Sequence, residues 1–202
     1  MAKIANDHVA IVVDWYGPFS TANSAAEWER SQCPRGTEWL YMFIGRIGTR
    51  RKQLQYIGIT GKVEQRFRQH PAMKKIERLD EIWLGLVETA GLNRGYKNPQ
   101  RMACGLAEWI HVCLLRKLYQ NQALPLNARK RAFPVLTVTL VNHWWHNEVR
   151  NGSNLAFKSF RRSPHGDWPY VLDFYGQGHL GTKSFGRMVW MDGSFHRMTR
   201  FS

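Results

Sequence analysis

Residues 39–70 read WLYMFIGRIGTRRKQLQYIGITGKVEQRFRQH, and this stretch carries the strongest structural signals in the chain. Two apolar runs, Trp39–Ile44 and Leu54–Ile59, flank a basic segment with two glycines, which is typical of a loop between strands. The residues after Thr60 favour a helix that ends at Pro71, because proline cannot continue a helix. The stretch predicts two antiparallel strands, joined by a long basic loop and followed by a helix.

Further elements are predicted on both sides of this stretch. The β-branched run at residues 8–14 predicts a buried strand, and residues 21–30 predict a helix. Residues 80–88 are typical of a third strand. Residues 102–119 predict a buried helix, because apolar side chains are placed nearly all round it. Residues 133–141 predict another strand, followed by short strands and turns.

These elements suggest a fold of the α/β (α+β) class in three parts. Residues 1–37 form an N-terminal elaboration with a strand and a helix. Residues 38–130 form the main unit, a three-stranded antiparallel sheet flanked by helices. Residues 131–202 form a β-rich C-terminal extension that is a candidate DNA-contacting segment. A chain of 202 residues is long enough for one elaborated domain or two small ones.

The charge of the chain points to a polyanionic partner. The 29 Lys and Arg residues exceed the 15 Asp and Glu residues, which gives a net charge of +14. Most of the excess lies after residue 60. Such a surface attracts phosphates and releases their counterions, so nucleic acid is the expected partner. The alternative is a basic surface that serves only solubility.

Composition also excludes several classes of protein. A hydrophobic fraction of 44% with 22% charged residues is ordinary for a globular chain. No apolar run reaches the length of a membrane helix, and residues 1–6 do not resemble a signal peptide. The cysteines are Cys33, Cys104 and Cys113, an odd number without close pairing, which predicts neither a disulfide framework nor a cysteine-only zinc site. We therefore expect a cytoplasmic protein with no membrane association.

Several residues in and beyond the opening stretch can carry chemistry. Antiparallel pairing would bring Tyr41 towards Tyr56. On a helix, Arg66 and His70 lie one turn apart on one face. These side chains accompany the triplet Tyr56-Ile57-Gly58.

This ordered set resembles the GIY-YIG nucleases. The resemblance covers roughly residues 39–130, and the Tyr-Ile-Gly triplet is intact, whereas the first triplet keeps only Tyr41. Arg66 matches the family arginine, and His70 fills a position where the family uses histidine or tyrosine. The resemblance further implies that Glu108 is the metal-binding glutamate and that Asn127 matches an asparagine that often follows it.

The chemistry of phosphodiester cleavage requires these residue types. Arg66 can hold two phosphate oxygens with its permanently charged fork. Glu108 can hold one Mg²⁺ that is completed by water and substrate phosphate, and Mn²⁺ is expected to substitute. Tyr41 and Tyr56 are the candidates for activating water, and His70 can hydrogen-bond a tyrosine or the phosphate. The catalytic set is therefore Tyr41, Tyr56, Arg66, His70 and Glu108.

Each of these assignments has a structural alternative. Arg66 could be a surface arginine, and Glu108 could form a salt bridge with an arginine. The tyrosines could be aromatic packing in a strand, and His70 could be a structural histidine. His143 and His146 are three residues apart and could bind zinc, although the two tryptophans between them are more typical of a core.

The predicted function is a Mg²⁺-dependent endonuclease acting on DNA, restriction-like or encoded by a phage or mobile element. The alternative is a nucleic-acid-binding protein without catalysis that keeps the nuclease fold. DNA is the expected partner, and a homodimer is left open. The candidate DNA contacts are basic or amide side chains: Arg50, Arg51, Lys52, Lys62, Arg68, Asn127, Arg161 and Arg162.

Overall fold

The structure is a computed structural model that describes residues 8–32, 37–49, 51–90, 98–118, 127, 137–149, 155–160, 171–174, 180–184, 187–191 and 199–200. Its strands are β1 (His8–Phe19), β2 (Trp39–Arg46), β3 (Gln53–Thr60), β4 (Arg78–Ala90), β5 (Thr137–Val149), β6 (Leu155–Phe160), β7 (Val171–Phe174), β8 (Leu180–Ser184), β9 (Arg187–Met191) and β10 (Thr199–Arg200). Its helices are α1 (Ala22–Gln32), α2 (Val63–Arg68) and α3 (Pro99–Leu118), with a short 3₁₀ turn at Met73–Lys75.

The α+β class predicted from the sequence is confirmed. The strands β2 and β3 pair antiparallel, α2 follows them, and β4 then pairs antiparallel with β2. The predicted long helix is α3. The strand predicted at residues 133–141 begins at Thr137 in the structure, and residues 133–136 lie outside the described part of the chain.

The predicted sheet of three strands is too small. Over the described residues, ten strands form one mixed sheet in the order β10-β9-β8-β7-β5-β1-β4-β2-β3, and β6 pairs with β5. The N-terminal strand β1 lies inside this sheet, antiparallel to β4 and parallel to β5. Its hydrogen bonds to β4 and β5 therefore join all three predicted parts, whose boundaries were placed after residue 37 and after residue 130. The division into three functional parts stays a prediction.

Helix α3 covers one face of the sheet. The alternating side chains Val9, Ile11, Val13 and Trp15 of β1 are all at most 1% exposed and pack in the same cluster as Leu106, Ala107 and Ile110 of α3. A buried polar network reinforces this packing. The Oδ1 atom of Asn142 accepts a hydrogen bond from Trp15 Nε1 (2.8 Å) and lies 2.9 Å from Nε2 of His111. The network ties α3 to both β1 and β5.

The opposite face is covered by α1 and α2 over β2 and β4. Here Trp28, Val63 and Phe67 of the helices lie in one buried cluster with Tyr41 and Phe43 of β2. The exposed ends of the two helices are joined by an ion pair of 2.6 Å between Arg30 and Glu64. None of the helices in the described ranges has the length and apolar character needed to cross a membrane.

A bulge at Gln55 decides which face Tyr56 occupies. Phe43 pairs with Tyr56 and the next residue, Ile44, pairs with Leu54, so Gln55 is an extra residue in β3. Without the bulge, Leu54 and Tyr56 would share a face, because strand side chains alternate. With it, Leu54 faces α3 and Tyr56 lies among the side chains around Tyr41. The Gln55 Nε2 group donates to the carbonyl of Gly45 (3.0 Å), which holds the bulge in place.

Candidate active site

The centre of the candidate site is the hydroxyl group of Tyr41. Tyr41 lies in the middle of β2 and is fully buried. Its oxygen accepts a hydrogen bond from Arg66 Nε (3.0 Å) and lies 2.7 Å from His70 Nε2. Three side chains predicted to be functional therefore meet at one atom.

The backbone fixes the tautomer of His70. Its Nδ1 atom accepts hydrogen bonds from the backbone N–H groups of Ala72 (3.1 Å) and Met73 (3.4 Å). The single hydrogen of the neutral ring is therefore on Nε2, and Nε2 donates to the oxygen of Tyr41. His70 is 2% exposed, so this hydrogen bond is shielded from water.

His70 reaches this position by a different route from the predicted one. The sequence predicts that Arg66 and His70 share a helix face, but α2 ends at Arg68. Proline disfavours the helical conformation in the residue before it, and Pro71 follows His70 directly. The chain turns after the helix and brings the His70 ring beneath Tyr41, so the two residues converge without sharing a helix.

Tyr56 completes the cluster. Its ring lies 5.8 Å from that of Tyr41 in a stacked arrangement and 4.6 Å from that of His70, edge to face. Tyr56 is half-buried and Arg66 is exposed, whereas Tyr41 and His70 are enclosed. A substrate would therefore meet Tyr56 and the guanidinium group of Arg66, with the other two side chains behind them.

The glycine of the Tyr-Ile-Gly triplet makes room for this cluster. A Cβ atom at Gly58 would lie 2.6 Å from the hydroxyl oxygen of Tyr41 and 2.7 Å from Cε1 of Tyr56. Both distances are too short for real contacts. Gly58 is required because two tyrosine rings pass over its backbone.

We expect Gly58→Ala to reduce stability by about 1–3 kcal/mol, the usual cost of overfilling a packed site. Gly105→Ala on α3 is the matched control, because a Cβ there would meet nothing within 4 Å. Alanine favours helix over glycine, so the control should gain roughly 0.5–1 kcal/mol. Denaturant unfolding measures both. Equal stability of Gly58→Ala and the original protein would contradict the close packing.

The electrostatics of the cluster distinguish the two tyrosines. Burial, with a smaller contribution from the neighbouring Tyr56, raises the pKa of Tyr41 far above its usual range, although the hydrogen bond and charge of Arg66 oppose this. Tyr41 is therefore a neutral phenol at pH 7. It holds Arg66 and His70 in place, and it is poorly suited to take a proton from water.

His70 is also neutral at pH 7. Burial, together with the nearby charge of Arg66, lowers the pKa of His70 from 6.5 to about 4. The geometry agrees, because protonation at Nδ1 would break its hydrogen bonds to two backbone N–H groups. An acidic medium should therefore weaken the cluster.

We expect His70 to make the fold sensitive to acid. Between pH 6.5 and pH 4 the unfolded chain binds a proton at this ring and the folded chain does not, so stability falls with pH in that window. The loss attributable to His70 is roughly 3 kcal/mol at pH 4. Denaturant unfolding from pH 7 to pH 4 should show a shallower pH dependence for His70→Gln. Identical pH dependence of the two proteins would contradict this role.

Asn127 stabilises the edge of the sheet beside the cluster. Its side chain accepts a hydrogen bond from the Ile57 N–H (3.0 Å) and donates one to the Ile57 carbonyl (2.7 Å). In the described part of the sheet β3 is an edge strand, so Asn127 takes the place of a missing neighbour. The side chain predicted as a DNA contact is engaged with the backbone of the Tyr-Ile-Gly triplet.

Glu108 is carried by α3, on the other side of the sheet from the ring of Tyr41. It is half-buried on α3, which packs on the face of the sheet opposite Tyr41 and Arg66. Because β3 is the edge strand, a group on α3 could approach the cluster only around that edge. The described residues contain no group of three or more His, Cys, Asp or Glu side chains placed to hold a metal ion.

The other predicted DNA contacts fall into three groups. Arg50, Arg161 and Arg162 lie outside the described residues. Lys52 forms an ion pair with Glu81, and Arg68 forms one with Glu64, so part of their charge is already neutralised. Arg51 and Lys62 are exposed.

The two histidines of the His-Trp-Trp-His sequence do not form one site. His143 lies 3.2 Å from Asp14 Oδ1, whereas the ring of His146 lies 5.2 Å from Trp83, which is part of the core beneath α3. Residues three apart in a strand point to opposite faces, so a shared zinc ion is excluded. Trp144 is 1% exposed and belongs to the core, as predicted, whereas Trp145 is half-buried.

Sequence reasoning missed the segment directly after His70. The backbone N–H groups of Ala72 and Met73 orient the histidine, and Lys74 and Lys75 follow them on the 3₁₀ turn. The pair of adjacent lysines just beyond the predicted end of the helix is the sequence feature that could have indicated a functional segment here.

Comparison of the chain with models of known protein families, with curated proteins and with solved structures finds no match in any of the three.

Proposed function

We propose that the protein is a Mg²⁺-dependent endonuclease that hydrolyses phosphodiester bonds in DNA, as its resemblance to the GIY-YIG nucleases implies. The observation that carries this proposal is the convergence of Arg66 and His70 on the hydroxyl group of Tyr41, beside Tyr56. The arrangement of β2, β3, α2 and β4 is consistent with the core of that family. The net charge of +14 supports a polyanionic substrate.

The four clustered residues have separate roles in this proposal. Arg66 uses one nitrogen to bond Tyr41 and presents the rest of its fork to the phosphate, where it stabilises the charge of the transition state. Tyr56, which solvent reaches, orients the attacking water. Tyr41 and His70 are positioning residues, since both are buried and act through Arg66 and Tyr56.

In this proposal Glu108 is the residue that would hold the metal ion. One carboxylate is sufficient for a Mg²⁺ ion that keeps its waters and binds substrate phosphate, and Glu108 supplies one. When bound, the ion would act as a Lewis acid towards a phosphoryl oxygen. Helix α3 and the cluster lie on opposite faces of the sheet, and the two faces meet at the edge formed by β3. An ion held by Glu108 would therefore have to lie at that edge to reach the substrate.

The packing of α3, which carries Glu108, on the face of the sheet opposite Tyr41 favours a second candidate function. A protein that keeps the fold and the basic surface but lacks a complete metal centre would bind nucleic acid without cutting it. The two functions differ in a simple way, because only the first predicts loss of substrate when Mg²⁺ is added.

The deciding experiment is incubation of the protein with plasmid DNA and Mg²⁺, with an EDTA control and sequencing of the product ends. Cleavage that needs the metal supports the endonuclease. Binding without cleavage, under Mg²⁺ or Mn²⁺, would support the second function instead. Absence of binding would contradict both.

A cytoplasmic location and a homodimer are also proposals. The location is supported by the cysteine content of the sequence, because an odd number of three cysteines without close pairing does not indicate the disulfides of an oxidising compartment. Light scattering of the purified protein, free and bound to DNA, tests the dimer.

A further inference from the structure

The basic side chains of the described residues differ in how far their charge is already neutralised. Arg30 and Arg68 both pair with Glu64, and Arg101 pairs with Glu38. By contrast, Lys74 and Lys75 are exposed on the 3₁₀ turn and form no ion pair within the described part of the chain.

The 3₁₀ turn is attached to the candidate site on one side. His70 accepts hydrogen bonds from the backbone of Ala72 and Met73, and the same ring contacts Tyr41. The two lysines are therefore held at a fixed place relative to the cluster.

On its other side the turn is attached to the hairpin end of the sheet. A Cβ atom at Gly45 would lie 2.8 Å from the Ile76 side chain, so the chain leaving the turn packs directly on the end of β2. Arg46 and Arg78 are cross-strand partners there, and both approach the single carboxylate of Asp80. Together Lys74, Lys75, Arg46, Arg78 and Arg51 form a surface that we call the hairpin-end basic surface.

Carboxylates lie in the other directions from the cluster. Glu27, Glu29 and Glu64 are on α1 and α2, and Glu88 is exposed on β4 on the same face of the sheet as Tyr41. At the hairpin end Glu77 is the exposed carboxylate, and Asp80 and Glu81 are bound by basic side chains. Within the described part of the chain, a phosphate backbone leaving Arg66 meets the largest excess of positive charge towards the hairpin end.

We propose that the hairpin-end basic surface binds the backbone of duplex DNA on one side of the cleaved bond, with Lys74 and Lys75 as its principal phosphate contacts. The proposal rests on the proposed endonuclease function. Tyr41 and Arg46 are five residues apart on β2. Because a strand rises by about 3.4 Å per residue, this separation is about 17 Å. That distance matches about five phosphates along one DNA strand. The enzyme should thus need about five base pairs beyond the cleaved bond on this side.

The test is the salt dependence of DNA binding, measured by fluorescence anisotropy in EDTA so that no cleavage occurs. We compare the original protein with the double variant Lys74→Gln/Lys75→Gln. The matched control is Arg30→Gln/Arg101→Gln, which removes the same charge from ion-paired positions away from the hairpin end. Thermal melting confirms that each variant folds.

The slope of log affinity against log salt should become shallower by about two for the lysine variant, because each lost phosphate contact removes about 0.9. The arginine control should keep the original slope, and Lys74→Arg/Lys75→Arg should restore it. Equal slopes for the lysine variant and the original protein would overturn this inference alone. Failure of the original protein to bind DNA would overturn the proposed function as well.

Discussion

Replacing Arg66 with lysine should lower the rate of DNA cleavage by a factor of about 10² or more, the usual cost of losing one donor to the transition state. Lysine keeps the charge but lacks the planar fork. In the structure the Nε atom of Arg66 donates to the oxygen of Tyr41 at 3.0 Å, which leaves the remaining nitrogens for the phosphate. A lysine ammonium cannot occupy both positions.

The matched control for this variant is Arg68→Lys. Arg68 is two residues further along α2, is exposed and pairs with Glu64, so its replacement should change the rate less than about threefold, as for most exposed ion pairs. Single-turnover cleavage with saturating protein measures the chemical step in both variants. Near-normal cleavage by Arg66→Lys would return this residue to the role of an ordinary surface arginine.

Replacing Glu108 with glutamine should abolish Mg²⁺-dependent cleavage, while folding and DNA affinity in EDTA stay unchanged. The amide preserves the shape of the side chain but removes the charge that would hold a divalent cation. Glu27→Gln, at an exposed position on α1, is the control and should retain full activity.

A readout independent of activity separates metal binding from other effects of the Glu108 substitution. Titration of Mn²⁺ into the protein without DNA, followed by its electron paramagnetic resonance signal, should detect a bound ion in the original protein and none in the variant. Undiminished turnover by Glu108→Gln would remove this residue from the metal site. That result would also fit its placement on the face opposite Arg66.

The parts of the fold predicted from sequence are those that depend on local signals. The order β2, β3, α2, β4, α3 follows from apolar runs, the basic loop and Pro71. The position of β1 could not be predicted this way. Its alternating Val9, Ile11 and Val13 indicate a buried strand, but the pattern is the same whichever strands flank it.

Four residues of the predicted catalytic set, Tyr41, Tyr56, Arg66 and His70, converge in the structure, but the geometry by which they do so could not be predicted. Tyr56 shares a face with Tyr41 because of the bulge at Gln55. No residue type in the sequence predicts a bulge of this kind. The orientation of His70 depends on backbone N–H groups, which every non-proline residue carries and which a sequence therefore cannot distinguish. The sequence shows the glycine of the triplet, Gly58. It does not predict that two tyrosine rings pass over this residue, which is why glycine is required there.

The place of β1 between β4 and β5 has a consequence for synthesis on the ribosome. One edge of β1 is filled by β4, but its parallel neighbour β5 is translated only about 120 residues later. At about 5–20 residues per second, that edge stays open for roughly 6–24 seconds in each nascent chain. An open apolar edge pairs readily with other strands, so we expect the growing chain to be prone to aggregation until β5 has been made. The chain cannot complete the sheet around β1 until β5 has been translated.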